Sequence, residues 1–310
     1  MASLREIKDH IASVRSTLKI TSAMKLVASA KLRKAQQAAE GVRPYTEALA
    51  AMLARVLGQG SHSSLRPSGE PDPSQQSWAP PVTATGGYGS ERKATLPQES
   101  VAIVAVASNS SLCGAFNINV IHKVQEVIAR FRKEGTEVEV IPVGRKMADA
   151  MRKAGYPSPA DWSDLVGHNS FEKSAAFAQA LIEAYNSGRY SRILFIYNHF
   201  VSTSSQKVTV ETYLPFNSTV IPSEAKESEY ILEPSREEIL ATLLPQVMRL
   251  RVHTVLLDSI AAEHAARTIA MQTASDNAED LLGELTLEYN KGRQQKITSE
   301  ILDLVGGAQQ

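Results

Sequence analysis

Residues 4–18 read LREIKDHIASVRSTL, and their apolar side chains recur at alternating intervals of three and four residues. The apolar positions are Leu4, Ile7, Ile11, Val14 and Leu18. This spacing is typical of a coiled-coil helix, whose apolar seam has to be covered by a second helix. The stretch therefore predicts a long helix together with a partner for it.

The same helix is expected to continue well beyond this stretch. The seam drifts to Ile20, Met24 and Val27, and alanine-rich sequence follows. Pro44 predicts a break or kink, because proline has no amide hydrogen to donate. Apolar residues then resume the same spacing, and we predict an N-terminal coiled-coil helix over residues 1–57.

A second seam occupies the end of the chain, where residues 246–305 contain no proline. The apolar residues at intervals of three and four are Met271, Ala274, Ala278, Leu281 and Leu285, and then Ile297, Ile301 and Leu304. Sixty residues of helix would extend about 90 Å, longer than any compact unit of this size. We predict a C-terminal coiled-coil helix over residues 236–310 that packs antiparallel against the first helix.

The two terminal segments differ in charge. Residues 1–45 hold nine basic and three acidic side chains, whereas residues 246–310 hold six basic and nine acidic ones. The opposite signs favour packing of the helices on each other, and the excess bases leave a positive face for an acidic partner. No stacking aromatic residue precedes Tyr45, which favours an acidic protein surface over nucleic acid as that partner.

Strands and helices alternate in the middle of the chain, over residues 99–215. Val101 to Ala107 is a continuous apolar run of the kind found in strands covered on both faces. Further strands are predicted at Glu137–Pro142, Arg192–Tyr197 and Gln206–Leu214, and helices at Asn117–Lys133, Lys146–Lys153 and Phe171–Tyr185. This order predicts a Rossmann-like α/β domain with parallel strands and a hairpin at its last edge. The fold class is therefore α/β, inserted between two long coiled-coil helices.

Two connecting segments complete the expected organisation. Residues 58–98 contain six of the 17 glycines and six of the 14 prolines, which predicts a flexible insertion. Trp78 and Tyr88 within it are interpreted either as a docking motif or as isolated aromatics of a mobile loop. A polar linker is predicted over residues 216–235.

Composition excludes several classes of protein. With 33 basic and 33 acidic side chains, the chain has no global signature of a nucleic-acid binder. Its single cysteine cannot form an internal disulfide, which fits a reducing compartment. No apolar run reaches the length of a membrane span, and the scattered histidines predict no metal site and no cofactor. A transit peptide is an alternative for the N-terminus, but the early acids Glu6 and Asp9 disfavour it.

The most enzyme-like feature is the sequence ASNSSLCGA at residues 107–115, which follows the first strand. Ligands of α/β sheets commonly bind at this edge, but Gly114 is the only glycine here and no phosphate-binding spacing is met. Cys113 near a helix N-terminus would suit a nucleophile, or simply a small buried thiol. A stand-alone α/β enzyme that uses the 108–114 turn is therefore kept as an alternative function.

Several segments at the two ends of the chain match those of one known family. They are MASLREIK (1–8), ITSAMKLVA (20–28) and AKLRK (30–34) at the start, and EHAARTIAM (263–271), Asn277-Ala278, Tyr289-Asn290, Arg293-Gln294, ITSEILD (297–303) and Gly307-Ala308 at the end. With these segments the chain resembles the gamma subunit of the rotary F-type ATP synthase. Leu112-Cys113-Gly114 and YILEP (230–234) also fit. Two features depart from the family pattern. Ser108–Ser111 stand where the family usually has an Asp, a basic or amide residue and Gly, and Gly292 replaces its usual alanine.

The resemblance implies a function as the central rotor shaft of this motor. In that family the terminal helices form an asymmetric shaft inside the ring of alternating alpha and beta subunits, and the α/β domain lies near the epsilon subunit and the membrane c-ring. Proton flow turns the shaft, which cycles the catalytic beta subunits through different nucleotide affinities. The resemblance thus implies a non-catalytic subunit, peripheral at the cytoplasmic face of the bacterial inner membrane. The resemblance does not cover the 58–98 insertion, which we predict to lie outside the ring near the α/β domain. A coiled-coil scaffold for an unrelated acidic partner is a further alternative.

The resemblance also implies which residues meet the partners. The predicted contacts with beta are Met24, Lys25, Arg267, Arg293, Gln294 and Thr298. The predicted contacts with the c-ring and epsilon are Tyr230, Glu233 and Pro234. No catalytic residue is expected.

Overall fold

The computed structural model describes residues 3–58, 100–158, 160–167, 169–216 and 235–307. Two long helices dominate it: α1, Leu4–Gly58, and α6, Arg236–Gly307, which are numbered with the elements between them. They run antiparallel, since Leu4 lies against Gly292 while the Arg236 Nε donates to the Val56 carbonyl at 2.8 Å. The 72 residues of α6 correspond to about 108 Å of helix. Pro44 lies inside α1, so the predicted continuation of the helix beyond it is confirmed.

The seam between α1 and α6 holds larger apolar side chains near the start of α1 and smaller ones further towards the C-terminal end of α1. The first cluster comprises Ile7, Ile11, Val14, Leu18, Ala278, Leu282, Leu285 and Tyr289, and the second comprises Leu32, Ala35, Ala261 and Ala265, with Ile260 and Phe200 beside them. Between the clusters, the Ser275 hydroxyl donates to the Thr21 hydroxyl at 2.8 Å, and both residues are buried. Small side chains here allow the two helices to approach closely.

Some residues predicted to lie in the seam are exposed, and their neighbours in sequence are buried instead. Ile20 and Val27 are 58% and 57% exposed, and Thr21 and Ala28 are buried instead. On α6, Leu281 is 37% exposed, whereas the neighbouring Leu282 packs in the seam. Where two adjacent positions both suit the spacing, the helices bury the set that packs closely rather than the set with the larger apolar groups.

The middle of the chain forms a four-stranded sheet in the order β2-β1-β3-β4. The strands are β1, Ser100–Val106; β2, Glu137–Val143; β3, Arg192–Phe200; and β4, Gln206–Leu214. β1 pairs in parallel with β2 and β3, and β4 pairs antiparallel with β3 at the edge. The predicted parallel sheet with an edge hairpin is confirmed.

Helices cover both faces of this sheet, as the apolar β1 run predicts. One face packs against α2, Phe116–Lys133, and α3, Arg145–Lys153. The other packs against α5, Phe171–Asn186, and against the Met248–Leu256 part of α6. A single-turn helix, α4, Asp164–Gly167, is an addition that the sequence did not predict. The C-terminal helix is therefore both a layer of the α/β fold and half of the coiled coil.

Residues 59–99 and 217–234 lie outside the described residues. They hold almost all of the predicted insertion and linker, including Tyr230, Glu233 and Pro234. Among the helices that the structure describes, none has a stretch long and apolar enough to span a membrane.

Two glycines of α6 differ in the space around them, and this difference predicts the effect of replacing each by alanine. An added Cβ at Gly283 meets nothing within 4 Å, whereas one at Gly292 lies 3.1 Å from the Leu4 Cδ2. We expect Gly283→Ala to raise the free energy of unfolding by about 0.8–1 kcal/mol. Gly292→Ala should gain less, because Leu4 has to move. Urea denaturation of the purified chain measures both, and equal gains would contradict the close contact.

Candidate functional site

The first group of predicted contact residues lies midway along the helix pair. Met24 and Lys25 are half-buried on α1, and the Lys25 ammonium donates to the Gln272 Oε1 of α6 at 2.5 Å. The Gln272 amide in turn donates to the Asp276 Oδ1 at 2.6 Å. These two hydrogen bonds hold the Lys25 side chain across the seam. The neighbouring residues of α1, Leu26 and Val27, are exposed to solvent.

Exposed apolar side chains surround Met24 and Lys25. Ile20, Leu26 and Val27 are all more than half exposed, at 58%, 68% and 57%. Isolated apolar residues on a surface are ordinary, but several on one stretch of helix beside a cation make that stretch a candidate contact surface. These residues, 20–27, are called the shaft patch below.

The second group lies at the end of α6. Arg293, Gln294 and Thr298 are exposed, and the Thr298 hydroxyl donates to the Gln294 carbonyl at 2.9 Å. Because α1 begins opposite Gly292, Ile297, Ile301 and Leu302 are also exposed. Residues 293–302 are called the tip. With Lys25 level with Gln272, the tip lies about 30 Å from the shaft patch along the helix axis.

Arg267 differs from the other predicted contacts because its side chain is engaged inside the chain. It is 9% exposed, and its Nη1 donates to the Glu263 Oε1 at 2.7 Å. Its Nη2 donates to the Ser110 hydroxyl at 2.8 Å and approaches the Ser111 carbonyl at 3.4 Å. The structure thus joins Arg267 to the turn after β1, and not to the shaft patch or the tip.

Burial shifts the pKa of two groups beside Arg267. Burial raises the pKa of Glu263, while Arg267 and Lys31 act in the opposite direction. Burial, followed by the charges of Arg267 and Lys31, lowers the pKa of His264 to about 4. His264 is therefore neutral near pH 7, and the positive charges beside Glu263 are those of Arg267 and Lys31.

The 108–114 turn is organised by a residue that the sequence analysis missed, Asn117. Its Oδ1 accepts from the Ser108 amide at 3.0 Å, and its Nδ2 lies 3.1 Å from the Cys113 sulfur. Asn117 stands in the first turn of α2, where amide side chains commonly bond to nearby backbone, and this position was the available signal.

Cys113 is not placed for catalysis. It is 1% exposed and packs with Phe116 of α2 and Ala262 of α6. The Ser108 hydroxyl is fully buried and bonds within the turn. The turn therefore supports α6, and the alternative of a stand-alone enzyme is not supported.

Comparison with known proteins identifies the family. A family model described as ATP synthase matches residues 3–310. The chain is 43% identical to the ATP synthase gamma chain of Phocaeicola vulgatus, with 99% of each chain covered. It is 38% identical to that of Flavobacterium johnsoniae, with 100% of this chain and 99% of the relative covered.

Solved structures share the fold at low sequence identity. The rotor of the Euglena gracilis mitochondrial ATP synthase matches with a TM-score of 0.60 and 19% identity, over 95% of this chain and 98% of that chain. The central stalk and c-ring structure from Tetrahymena thermophila matches with a TM-score of 0.54 and 22% identity, over 83% and 99%. The full-length similarity to the curated relatives and the paired terminal helices around an α/β sheet agree, and the chain belongs to the ATP synthase gamma chain family.

Proposed function

We propose that this chain is the central rotor shaft of an F-type ATP synthase. The observation that carries the proposal is the antiparallel pair of α1 and α6, 55 and 72 residues long, which projects from an α/β domain. Two helices packed along a seam resist both twisting and bending better than one, and transmission of torque requires that stiffness. The chain carries no catalytic residue of its own in this function; ATP is made by the catalytic subunits around it.

The shaft patch and the tip are proposed as the surfaces that meet the ring of alpha and beta subunits. Lys25 and Arg293 supply positive charge, and Met24 and the exposed apolar residues supply surface to be covered. Gln294 and Thr298 add hydrogen-bonding groups at the tip. Because these surfaces differ around the shaft, each orientation presents a different face to each beta subunit, so the energy of rotation reaches the nucleotide sites as conformational change.

The α/β domain is proposed to lie outside that ring. There it would contact the epsilon subunit and the c-ring, through a region that includes Tyr230, Glu233 and Pro234, and the chain would be peripheral at the cytoplasmic face of the inner membrane. A contact of Arg267 with beta stays a prediction; its hydrogen bonds within the chain favour an internal role.

Reconstitution tests this function directly. The purified chain should show no ATPase activity, and when it is mixed with alpha and beta subunits a single copy should enter each hexamer and rotate during hydrolysis. Binding of the chain without rotation would favour a passive scaffold, and exclusion from the hexamer would refute the shaft.

Charge reversal separates a working shaft from a passive tether. We expect Lys25→Glu combined with Arg293→Glu to lower coupled ATP synthesis about tenfold, equivalent to about 1.4 kcal/mol of lost interaction. Synthesis and hydrolysis are measured in vesicles that contain the whole complex, at matched assembly.

Two matched variants control this measurement. Lys153→Glu reverses an exposed charge on α3, away from both surfaces, and should leave synthesis unchanged. Gln272→Met removes the internal partner of Lys25 without changing charge, and so measures the effect of the Lys25–Gln272–Asp276 hydrogen bonds apart from that of charge. Unchanged synthesis in the double reversal would count against both contact surfaces.

A further inference from the structure

The part of α6 that covers the sheet is bonded to the α/β domain on two opposite flanks. Its sheet-facing residues, Met248, Val252, Val255 and Leu256, are buried in the apolar core. Five polar residues border this face: Arg249, Arg251, His253, Asp258 and Arg267. Each of the five hydrogen-bonds to the α/β domain, and together they reach α5, β3, β4 and the turn after β1. They are called the flank contacts below.

The first flank faces α5 and the turn after β1. The Arg249 Nη2 donates to the Gln179 Oε1 at 2.8 Å, and the His253 Nδ1 lies 3.0 Å from the Ser174 hydroxyl. One end of this flank is Arg267, bonded to the Ser110 hydroxyl as described above.

The second flank faces β3 and β4. The Arg251 guanidinium donates from Nε and Nη2 to the Glu211 Oε1, at 2.8 and 2.5 Å. The Asp258 carboxylate accepts from the Phe200 amide at 2.9 Å, and its other oxygen lies 2.5 Å from the His199 Nδ1.

Helical geometry places these two sets on opposite sides. At about 100° per residue, Arg249 and Arg267 share one direction around the axis, and His253 lies within about 40° of them. Arg251 and Asp258 point about 180° away from that direction. The apolar residues that face the sheet lie between the two sets, so α6 is seated on the sheet and bonded to its neighbours on both sides.

Such an arrangement opposes rotation of the helix about its own axis. Apolar packing is non-directional and mainly resists separation, whereas hydrogen bonds have narrow limits of distance and angle. A roll of about 20° moves atoms at a radius of about 5–6 Å by about 2 Å, which breaks a hydrogen bond of normal length. Because the two flanks are opposite, a roll in either direction stretches bonds on at least one of them.

The rest of the coiled coil depends on this attachment. α1 packs mainly against α6 rather than against the sheet. Torque applied to the α/β domain therefore reaches both helices through α6.

We propose that the flank contacts fix the angle of α6 relative to the α/β domain, so that torque on the domain turns the shaft without slip. The inference rests on the proposed function as a rotor shaft. The five residues are positioning residues, because they act by bonding α6 to the α/β domain.

The test measures the angular fluctuation of a bead attached to the α/β domain while the surrounding hexamer is fixed and stalled. Lys133→Cys offers an exposed attachment point, and the single native thiol, Cys113, is buried. One variant removes the second flank, Arg251→Met with Asp258→Ala. Another weakens the first flank, Arg249→Met with Ser110→Ala, which leaves the buried Arg267–Glu263 pair intact.

Restraints that act in parallel share the stiffness, so loss of one flank is expected to raise the angular variance about twofold. Loss of both flanks should raise the angular variance by more than the sum of the two separate increases. The apolar packing of α6 on the sheet should keep the domain folded. Arg152→Met, in an exposed ion pair with Asp149 on α3, is the control and should leave the variance unchanged. A variance equal to wild type in the variant with both flanks altered would overturn the proposal.

A charge swap keeps the proposal testable if that variant fails to assemble. Arg251→Glu alone should widen the fluctuation, and addition of Glu211→Arg should restore it, which a general loss of stability would not do. No change in variance with Arg251→Glu would overturn the proposal. If the wild-type chain itself fails to enter the hexamer or to rotate, the proposed function fails instead, so the two failures are distinct.

Discussion

Replacement of Arg267 by methionine is expected to lower the free energy of unfolding by about 3–5 kcal/mol, because the buried Glu263 carboxylate loses its cation. The same change removes the hydrogen bond from Arg267 to the Ser110 hydroxyl, which joins the turn to α6. Urea denaturation of the purified chain measures the loss. Arg43→Met is the matched control, since its ion pair with Glu47 is exposed and should contribute less than about 1 kcal/mol.

The pH dependence of this loss identifies its cause. Burial already raises the pKa of Glu263 in the wild type, and removal of Arg267 raises it further. A carboxyl whose folded pKa lies above its unfolded value favours folding most at low pH, and that contribution falls as the pH rises through the folded pKa. The deficit of Arg267→Met should therefore shrink on acidification, and Glu263→Gln in the same chain should recover much of the stability at pH 7. A deficit independent of pH would point to lost packing instead.

Gly144→Ala is expected to cost about 3 kcal/mol or more, as a clash added to backbone strain. Gly144 joins β2 to α3 with φ +98°, and an added Cβ would lie 2.2 Å from the Ala107 carbonyl oxygen and 2.9 Å from its carbon. Since backbone atoms cannot rotate aside, the end of β1 would have to shift. The free energy of unfolding and the rate at which Cys113 reacts with a thiol reagent should both report this shift.

Gly155→Ala separates strain from clash. Gly155 also has a positive φ, of +85°, but an added Cβ meets nothing within 4 Å. We expect it to cost only the conformational strain, about 1–2 kcal/mol, and to leave Cys113 protected. Equal costs for the two variants would show that the contact with Ala107 is unimportant.

Local patterns were sufficient for much of the fold, because each rests on neighbouring residues. The apolar β1 run, the helical spacing at both ends and the β3–β4 hairpin all have short-range signals, and each is present in the structure. The phase of the seam was harder to predict. Ile20 and Thr21 both fit the spacing, and only the approach of α6 decides that Thr21 is buried with Ser275.

The polar attachments could not be predicted in this way. Arg267 meets Ser110 across 157 residues of sequence, and Arg251 meets Glu211 across 40. No local spacing encodes such pairs, since they exist only when the sheet has placed both residues beside α6. The turn at 108–114 was singled out by its position after β1 as the possible site of an enzyme, and that alternative is not supported. Its role as a support for α6 depends on these distant partners.

α6 passes from the sheet to the tip as one unbroken helix, and this continuity sets an angular phase. Every residue between Arg267 and Arg293 adds about 100° of rotation around the helix axis. Their separation in sequence therefore determines which way the tip faces relative to the α/β domain. An insertion or deletion between these residues would rotate the tip relative to the α/β domain. Only an insertion close to whole turns, such as 18 residues for about five turns, would preserve their relative orientation.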